Sequence, residues 1–188
     1  MRIVRKEDKN GRTIIIIDAK EIADFIVPYH RRIPQYILKK VAKIGAMTHF
    51  FLGFTGDRTY EKRYCIDDFE ILVRARPDRE DATTVYELKT TTEKSLSEAI
   101  LRGFLQLLFY ADVTGKEPEL WIFDRNERLL MKYKIGLAEE ERRKLIEEVL
   151  EFLVRIIKEI DKMRDKLLLR IRTVITEKER RSLEIPNV

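Results

Sequence analysis

The chain has 188 residues, enough for one domain and short of the usual length for two, so a two-domain enzyme is not expected. Hydrophobic residues make up 44% of the sequence and charged residues 38%, so the chain can bury a core beneath a densely ionic surface, which excludes bulk disorder. The net charge of +5 is compatible with a polyanionic partner and does not require one.

The single cysteine, Cys65, limits the chemistry of the chain. It excludes an internal disulfide, a four-thiolate zinc site and a cysteine-ligated iron–sulfur cluster. No apolar run approaches the roughly 18 residues that a membrane span needs, and the first residues lack the apolar region of a signal peptide. We therefore expect a soluble, cytoplasmic protein with no membrane partner. The abundance of Glu, Lys, Arg and Ile beside few Asn and Gln is typical of heat-adapted proteins and predicts a thermophilic source.

The predicted elements begin with an N-terminal hairpin. The pair Asn10-Gly11 favours a tight turn between two strand-like segments. Asp18 is placed to cap a short helix that follows the hairpin. A second helix is predicted over residues 34–52, where a proline precedes apolar residues at helical spacing.

The middle of the chain predicts the centre of a sheet. Three strand-like segments cover residues 59–66, 69–76 and 83–89. A helix over about residues 95–113 follows and is closed by Gly115, and a hairpin comes after it. The expected fold class is α/β (α+β), with helices around a central mixed β-sheet.

The last part of the chain predicts one long helix. From residue 137 apolar residues recur at steps of three and four, a stripe longer than a compact domain of this size needs. Such a helix either bends back onto the domain or pairs with another helix. We therefore expect a domain over residues 1–136 and a helical extension over residues 137–188 that packs on it or mediates a homodimer.

The most informative strand contains Glu87 and Lys89. Side chains alternate along a strand, so these two charges share one face while Tyr86 and Leu88 share the other. Burying both charges is costly unless they have partners, and Asp78 together with a divalent cation would supply them, because Mg²⁺ prefers oxygen ligands. The alternative is an ordinary solvent-exposed ion pair, which the same spacing also produces.

The helices on either side of these strands carry further candidates. His49 lies near the end of the helix that precedes the sheet, either as a metal ligand or as a packing or surface residue. On the helix that follows, Glu98, Arg102, Gln106 and Tyr110 are spaced by four residues and share one face. That face is either the solvent side of the helix or the wall of a site.

Basic residues are concentrated before and around these motifs. Residues 20–63 contain nine basic and four acidic side chains, and Arg74, Arg76 and Arg79 flank Asp78. This segment could form the phosphate-contacting side of a DNA groove. The alternative is the ionic surface of a heat-adapted protein.

Four short motifs, in this order, resemble those of the PD-(D/E)xK nuclease superfamily. They are GAMTH at residues 45–49, RARPD at 74–78, VYELK at 85–89 and QLLFY at 106–110. The resemblance spans roughly residues 49–134 and is to the RecB-like branch, which includes the CRISPR-associated RecB-like exonucleases. The iron–sulfur cysteines of many of those exonucleases are absent here, so no cluster is expected.

The resemblance implies a restriction-endonuclease-like core and a role for each matching residue. The implied ligands of Mg²⁺ or Mn²⁺ are His49, Asp78, Glu87 and the backbone carbonyl of Leu88. The implied catalytic residues are Asp78, Glu87 and Lys89, with the lysine orienting water or stabilising the transition state. Gln106 and Tyr110 are implied to position the substrate, and we add Arg102 and Arg76 as candidate substrate-binding residues.

The expected function is metal-dependent hydrolysis of phosphodiester bonds in DNA, at ends or in single strands, during repair, recombination or CRISPR-type processing. Two other hypotheses remain open. In one, a catalytically silent nuclease fold serves as a nucleic-acid-binding or assembly subunit. In the other, the chain is an interaction protein and the motifs are chance, in which case His49, Asp78 and Glu87 need not converge.

Overall fold

The computed structural model describes residues 4–7, 13–28, 35–126 and 128–183. Over these ranges the chain forms eight strands and four helices. The strands are β1 Val4–Glu7, β2 Thr13–Asp18, β3 Tyr60–Ile66, β4 Phe69–Ala75, β5 Arg79–Glu80, β6 Thr84–Thr90, β7 Glu117–Phe123 and β8 Leu129–Lys134. The helices are α1 Ala19–Ile26, α2 Gln35–Phe51, α3 Leu96–Thr114 and α4 Glu139–Leu183. The fold is mixed, with helices and mixed sheets, so the predicted α+β class is confirmed.

The strands form two four-stranded sheets, so the prediction of one central sheet was wrong. The strand orders are β1-β2-β4-β3 and β5-β6-β7-β8. Each sheet has one parallel pair, β2 with β4 and β6 with β7, and its other pairs are antiparallel. The chain passes from one sheet to the other at Pro77, which has no N–H to donate to a ladder and so cannot continue a central strand.

The N-terminal prediction was correct in its elements. Strands β1 and β2 pair antiparallel, and the proposed turn residues Asn10 and Gly11 lie outside the described residues. Helix α1 begins directly after Asp18, as expected. The predicted capping bond is wrong, because the Asp18 side chain makes no cap hydrogen bond within the described structure.

Helix α3 contributes to the core beneath both sheets. It contacts β6 and β7 of one sheet, β3 and β4 of the other, and α1. Leu107, Leu108 and Phe109 are buried along it. The predicted stop is confirmed, since Gly115 takes the left-handed conformation at φ +69° and donates its N–H to the Ala111 carbonyl.

The predicted long helix is confirmed as α4, which has 45 residues. The chain divides into two compact units between Glu148 and Val149, inside α4, whereas the sequence suggested a boundary before the helix. In the second unit, Leu150, Leu153, Val154 and Ile157 form a buried stripe. Dimerisation through this helix stays a prediction. None of the helices in the described ranges has the length and apolar character to span a membrane.

Gly56 holds the backbone that carries Asp78. Its N–H donates to the Asp78 carbonyl at 2.7 Å. A Cβ at this position would lie 1.7 Å from the Pro77 carbonyl oxygen, a backbone atom that cannot rotate away. Only glycine allows this approach.

We predict that Gly56→Ala destabilises the protein by about 1–3 kcal/mol, because the added methyl overlaps the Pro77 backbone. The matched control is Gly45→Ala in α2, where no described atom lies within 4 Å of the new methyl. That control should gain about 0.5–1 kcal/mol from helix propensity. Urea unfolding of both variants measures the difference. Equal stability of Gly56→Ala and the wild type would contradict the role assigned to this contact.

Candidate active site

The candidate site is built around a buried carboxylate, that of Glu87 in β6. Its side chain is 3% exposed. Oε1 accepts a hydrogen bond from Lys89 Nζ, and Oε2 is buried with no hydrogen-bond partner among the described residues. A buried carboxylate oxygen without a partner is costly, and such a group calls for a functional explanation.

Asp78 stands beside this carboxylate and is held from two sides. Its Oδ2 accepts a hydrogen bond from the backbone N–H of Leu88 at 2.8 Å. Its Oδ1 lies 3.4 Å from Nδ1 of His49, in the last turn of α2. Asp78 therefore lies between the implied imidazole and Glu87, whose pKa its charge raises.

Lys89 connects Glu87 to helix α3. Its Nζ donates to both Glu87 Oε1 and Gln106 Oε1, so the prediction that Glu87 and Lys89 share a face is confirmed. Gln106 Nε2 in turn donates to the Tyr110 hydroxyl at 3.1 Å. Both α3 residues are buried, so this part of the helix face is not its solvent side and lines the candidate site.

The opposite face of β6 has a structural role. Leu88 is buried in an apolar cluster with Phe54 and Phe123, and Tyr86 packs against the edge of this cluster. The alternation predicted from the strand pattern therefore separates a charged face from an apolar one.

Burial and charge shift the pKa values of the two carboxyl groups in opposite directions. Burial, reinforced by the negative charge of Asp78, raises the pKa of Glu87 to about 8 against the opposing effect of Lys89. Burial alone would raise the pKa of Asp78 as well, but the hydrogen bond with His49, the Leu88 N–H and the Lys89 charge lower it overall. Two neighbouring carboxyl groups with separated pKa values are a feature of acid–base and metal sites.

The pKa of His49 is raised. Burial of the ring would lower it, but the hydrogen bond with Asp78 and the negative charges of Asp78 and Glu87 outweigh burial. The ring is therefore more basic than an ordinary histidine, and a cation would have to compete with a proton for it.

The two arginines that were predicted to bind substrate, Arg102 and Arg76, make hydrogen bonds to backbone carbonyls of this chain. Arg102 is 6% exposed; its guanidinium donates to the Val27 carbonyl at 3.1 Å and lies 3.5 Å from Glu98. Arg76 is exposed and donates to the Gly56 carbonyl at 2.9 Å. A role in substrate binding stays a prediction for both.

Much of the basic segment before the site is paired with acidic side chains. The pairs are Arg58 with Glu80, Lys62 with Asp112, Arg63 with Glu70 and Arg74 with Glu61. Arg31 and Arg32, which contribute to the predicted surplus, lie outside the described residues. The DNA groove stays a prediction, and among the side chains that the structure describes fewer unpaired cations support it than the sequence suggested.

A cavity of about 530 Å³ adjoins the site, and Asp78 is part of its wall. Sequence reasoning missed a charged cluster in this wall. Glu80 accepts hydrogen bonds from the Tyr60 hydroxyl at 2.6 Å and from Lys116 Nζ at 2.8 Å. These residues come from β3, β5 and the turn before β7, and no local pattern links them.

The donor set fits a hard divalent cation in its chemistry. It offers two neighbouring carboxylates, one with a partnerless oxygen, and an imidazole. In the arrangement described, however, no three His, Cys, Asp or Glu side chains within the described ranges are positioned as a metal-binding group. One oxygen of each carboxylate faces a nitrogen instead, Asp78 facing His49 and Glu87 facing Lys89.

These shifts predict how stability without metal depends on pH. The folded-state pKa of Glu87 lies above its ordinary value, so folding binds a proton there, and stability falls as pH rises towards 8. The raised pKa of His49 also makes stability fall as pH rises. The lowered pKa of Asp78 has the opposite effect, since it adds stability at pH values above the ordinary pKa of an aspartate. We therefore expect the melting temperature in EDTA to be highest at weakly acidic pH.

Glu87→Gln should flatten this decline, because the amide cannot ionise. Thermal unfolding of the variant and the wild type from about pH 5 to about pH 9 measures the slope of melting temperature against pH. The control Glu117→Gln changes an exposed carboxylate at the start of β7 and should keep the wild-type slope. An unchanged slope in Glu87→Gln would show that this carboxyl group does not carry the dependence.

No protein-family model and no curated protein matches the chain. Among solved structures, the chain is similar to the crystal structure of a protein designated SSO0001. The two share 17% sequence identity and a TM-score of 0.53, over 78% of this chain and 77% of the other. At this identity the likeness shows a shared fold and nothing about ligand or reaction.

Proposed function

We propose that the chain is a metal-dependent deoxyribonuclease with a restriction-endonuclease-like core of the RecB-like type, acting on DNA ends or single strands. The observation that carries the proposal is the pair of neighbouring carboxylates, Asp78 and Glu87, with Lys89 on the same strand face. The four ordered motifs support the same assignment. The burial of the Glu87 carboxyl group beside Asp78 favours a site for a cation over an ordinary solvent-exposed ion pair.

Phosphodiester hydrolysis needs a nucleophilic water and neutralisation of charge on the phosphate oxygens. A Mg²⁺ or Mn²⁺ ion held by Asp78, Glu87, His49 and the Leu88 carbonyl would supply both. The Leu88 N–H orients Asp78, and Gln106 holds Lys89 beside Glu87. In this proposal the Lys89 ammonium stabilises charge on the scissile phosphate, and one such donor is worth about 2.7–4 kcal/mol in other enzymes.

Cation binding at this site should displace a proton from Glu87, because its pKa is raised to about 8. We therefore predict that Mn²⁺ raises the melting temperature more at pH 8 than at pH 6. An ion at about 100 times its dissociation constant adds about 2.7 kcal/mol of stability. Asp78→Asn and Glu87→Gln should lose the shift, and Glu117→Gln should keep it. A shift that survives in both site variants would place the ion elsewhere.

Cleavage tests the proposal directly. With Mg²⁺ or Mn²⁺ the purified wild type should degrade end-labelled DNA, and Glu87→Gln and Lys89→Met should each lose about 100-fold or more of the rate. The matched control Lys134→Met removes an exposed lysine of β8 and should keep full activity. Labels at either end of the strand also report polarity. Equal cleavage by wild type and both site variants would defeat the proposal.

The alternative is a nuclease fold that binds nucleic acid, or assists assembly, without hydrolysis. It is favoured by the contacts of Lys89 and His49 with the carboxylates, and by the lack of a ready metal-binding group within the described ranges. It predicts DNA retention without cleavage, and light scattering would reveal a dimer formed through α4. A metal-soaked crystal separates the two hypotheses, since the nuclease requires an ion within about 2.0–2.6 Å of Asp78 and Glu87 oxygens.

A further inference from the structure

The last turn of α2 exposes two aromatic rings next to the candidate site. Phe50 is 70% exposed and Phe51 is 66% exposed, and their rings meet edge to face with centroids 5.9 Å apart. Met47, one turn earlier, is also exposed. Large apolar side chains that stay in water add nothing to the hydrophobic stabilisation of the fold, so a cluster of them indicates a binding surface.

Backbone hydrogen bonds link the last turn of α2 to the segment that leads into the wall of the cavity. The Phe50 carbonyl accepts a hydrogen bond from Gly53 at 3.1 Å, and the His49 carbonyl accepts one from Phe54 at 2.8 Å. Gly53 and Gly56 then line the cavity that Asp78 also lines. The turn that bears these rings therefore also bears His49, and Gly53 in the cavity wall follows Phe51 by two residues.

One cation shares the helix face of Met47 and Phe50, and a second lies in the cavity wall. Lys43 is exposed and lies on the same face of α2 as Met47 and Phe50, at a spacing of four and then three residues. Arg79, in the cavity wall, stacks over the rings of Phe54 and Tyr86 at 5.8 and 5.6 Å from their centroids. Exposed rings beside positive charge suit a ligand that is both flat and anionic, which is the chemistry of a single nucleic-acid strand.

We propose, resting on the proposed function, that Phe50 and Phe51 form a stacking platform for unpaired bases of the strand whose phosphate reaches Asp78. Bases in a duplex are already stacked and paired, so the platform favours single strands and frayed ends. Any base offers a flat face, so the platform selects unpaired structure with little preference for sequence.

The test measures binding of full-length protein to three labelled ligands by fluorescence anisotropy. They are a thymidine oligonucleotide, an abasic strand of the same length and a blunt duplex. Ca²⁺ replaces Mg²⁺, and a gel verifies that each strand stays intact. The variants are Phe50→Ala with Phe51→Ala, Phe50→Tyr with Phe51→Tyr, and the control Leu101→Ala, which trims an exposed apolar residue of α3.

The double alanine variant should bind the thymidine strand roughly tenfold or more weakly, the loss expected when a base loses its aromatic partner. The tyrosine variant and Leu101→Ala should bind like the wild type, and affinity for the abasic strand should be unchanged. Unchanged binding of the thymidine strand would overturn the proposal, as would an equal loss for the abasic strand. A wild-type dimer that becomes monomeric in the double alanine variant would assign the rings to a second copy instead.

The outcomes separate this inference from the function on which it rests. Cleavage by the wild type with unchanged strand binding by the double alanine variant overturns the platform alone. A platform that binds bases in a protein that never cleaves supports the binding-subunit alternative. A wild type that binds none of the three ligands overturns both.

Discussion

The burial of Glu87 between β6 and α3 is the constraint on which the rest of the site depends. A carboxylate at this depth needs cations and polar groups around it. Lys89 supplies the positive charge from the same strand face, and Gln106 holds that lysine from the facing helix. Gln106 and Tyr110 are the part of the polar row on α3 that joins this network, and the apolar side of β6 packs against Phe54 and Phe123.

The site lies where the chain leaves one sheet and enters the other. Pro77 ends the pairing of the first sheet, and Gly56 lets the backbone pass close enough to bond the Asp78 carbonyl. The Asp78 N–H donates to the Tyr86 carbonyl, and the Asp78 side chain accepts from Leu88. Asp78 is thus held through backbone groups on both sides, which keeps a charged side chain in place beside a second one.

Patterns within a few residues of sequence predicted most of the helices and strands and the proximity of Glu87 to Lys89. Alternation along β6 placed Glu87 and Lys89 together, and four-residue spacing placed Gln106 and Tyr110 on one face of α3. The same patterns missed the division into two sheets, because it depends on which distant segments pair. They also missed the cluster of Tyr60, Glu80 and Lys116, whose members come from three separate segments.

The sequence by itself determined the order of most helices and strands and which side chains lie on the same face of each, because both depend on periodicity within a few residues. It also determined the types of side chain available for chemistry. The tertiary structure decided which charges are buried and what each one contacts. Arg102 shows the difference, since its place in the polar row was evident, but its contact with the Val27 carbonyl came only from the packing of α1 against α3. Burial sets the pKa of Glu87 in the same way, because the dielectric surroundings of a side chain are created by residues far from it in sequence.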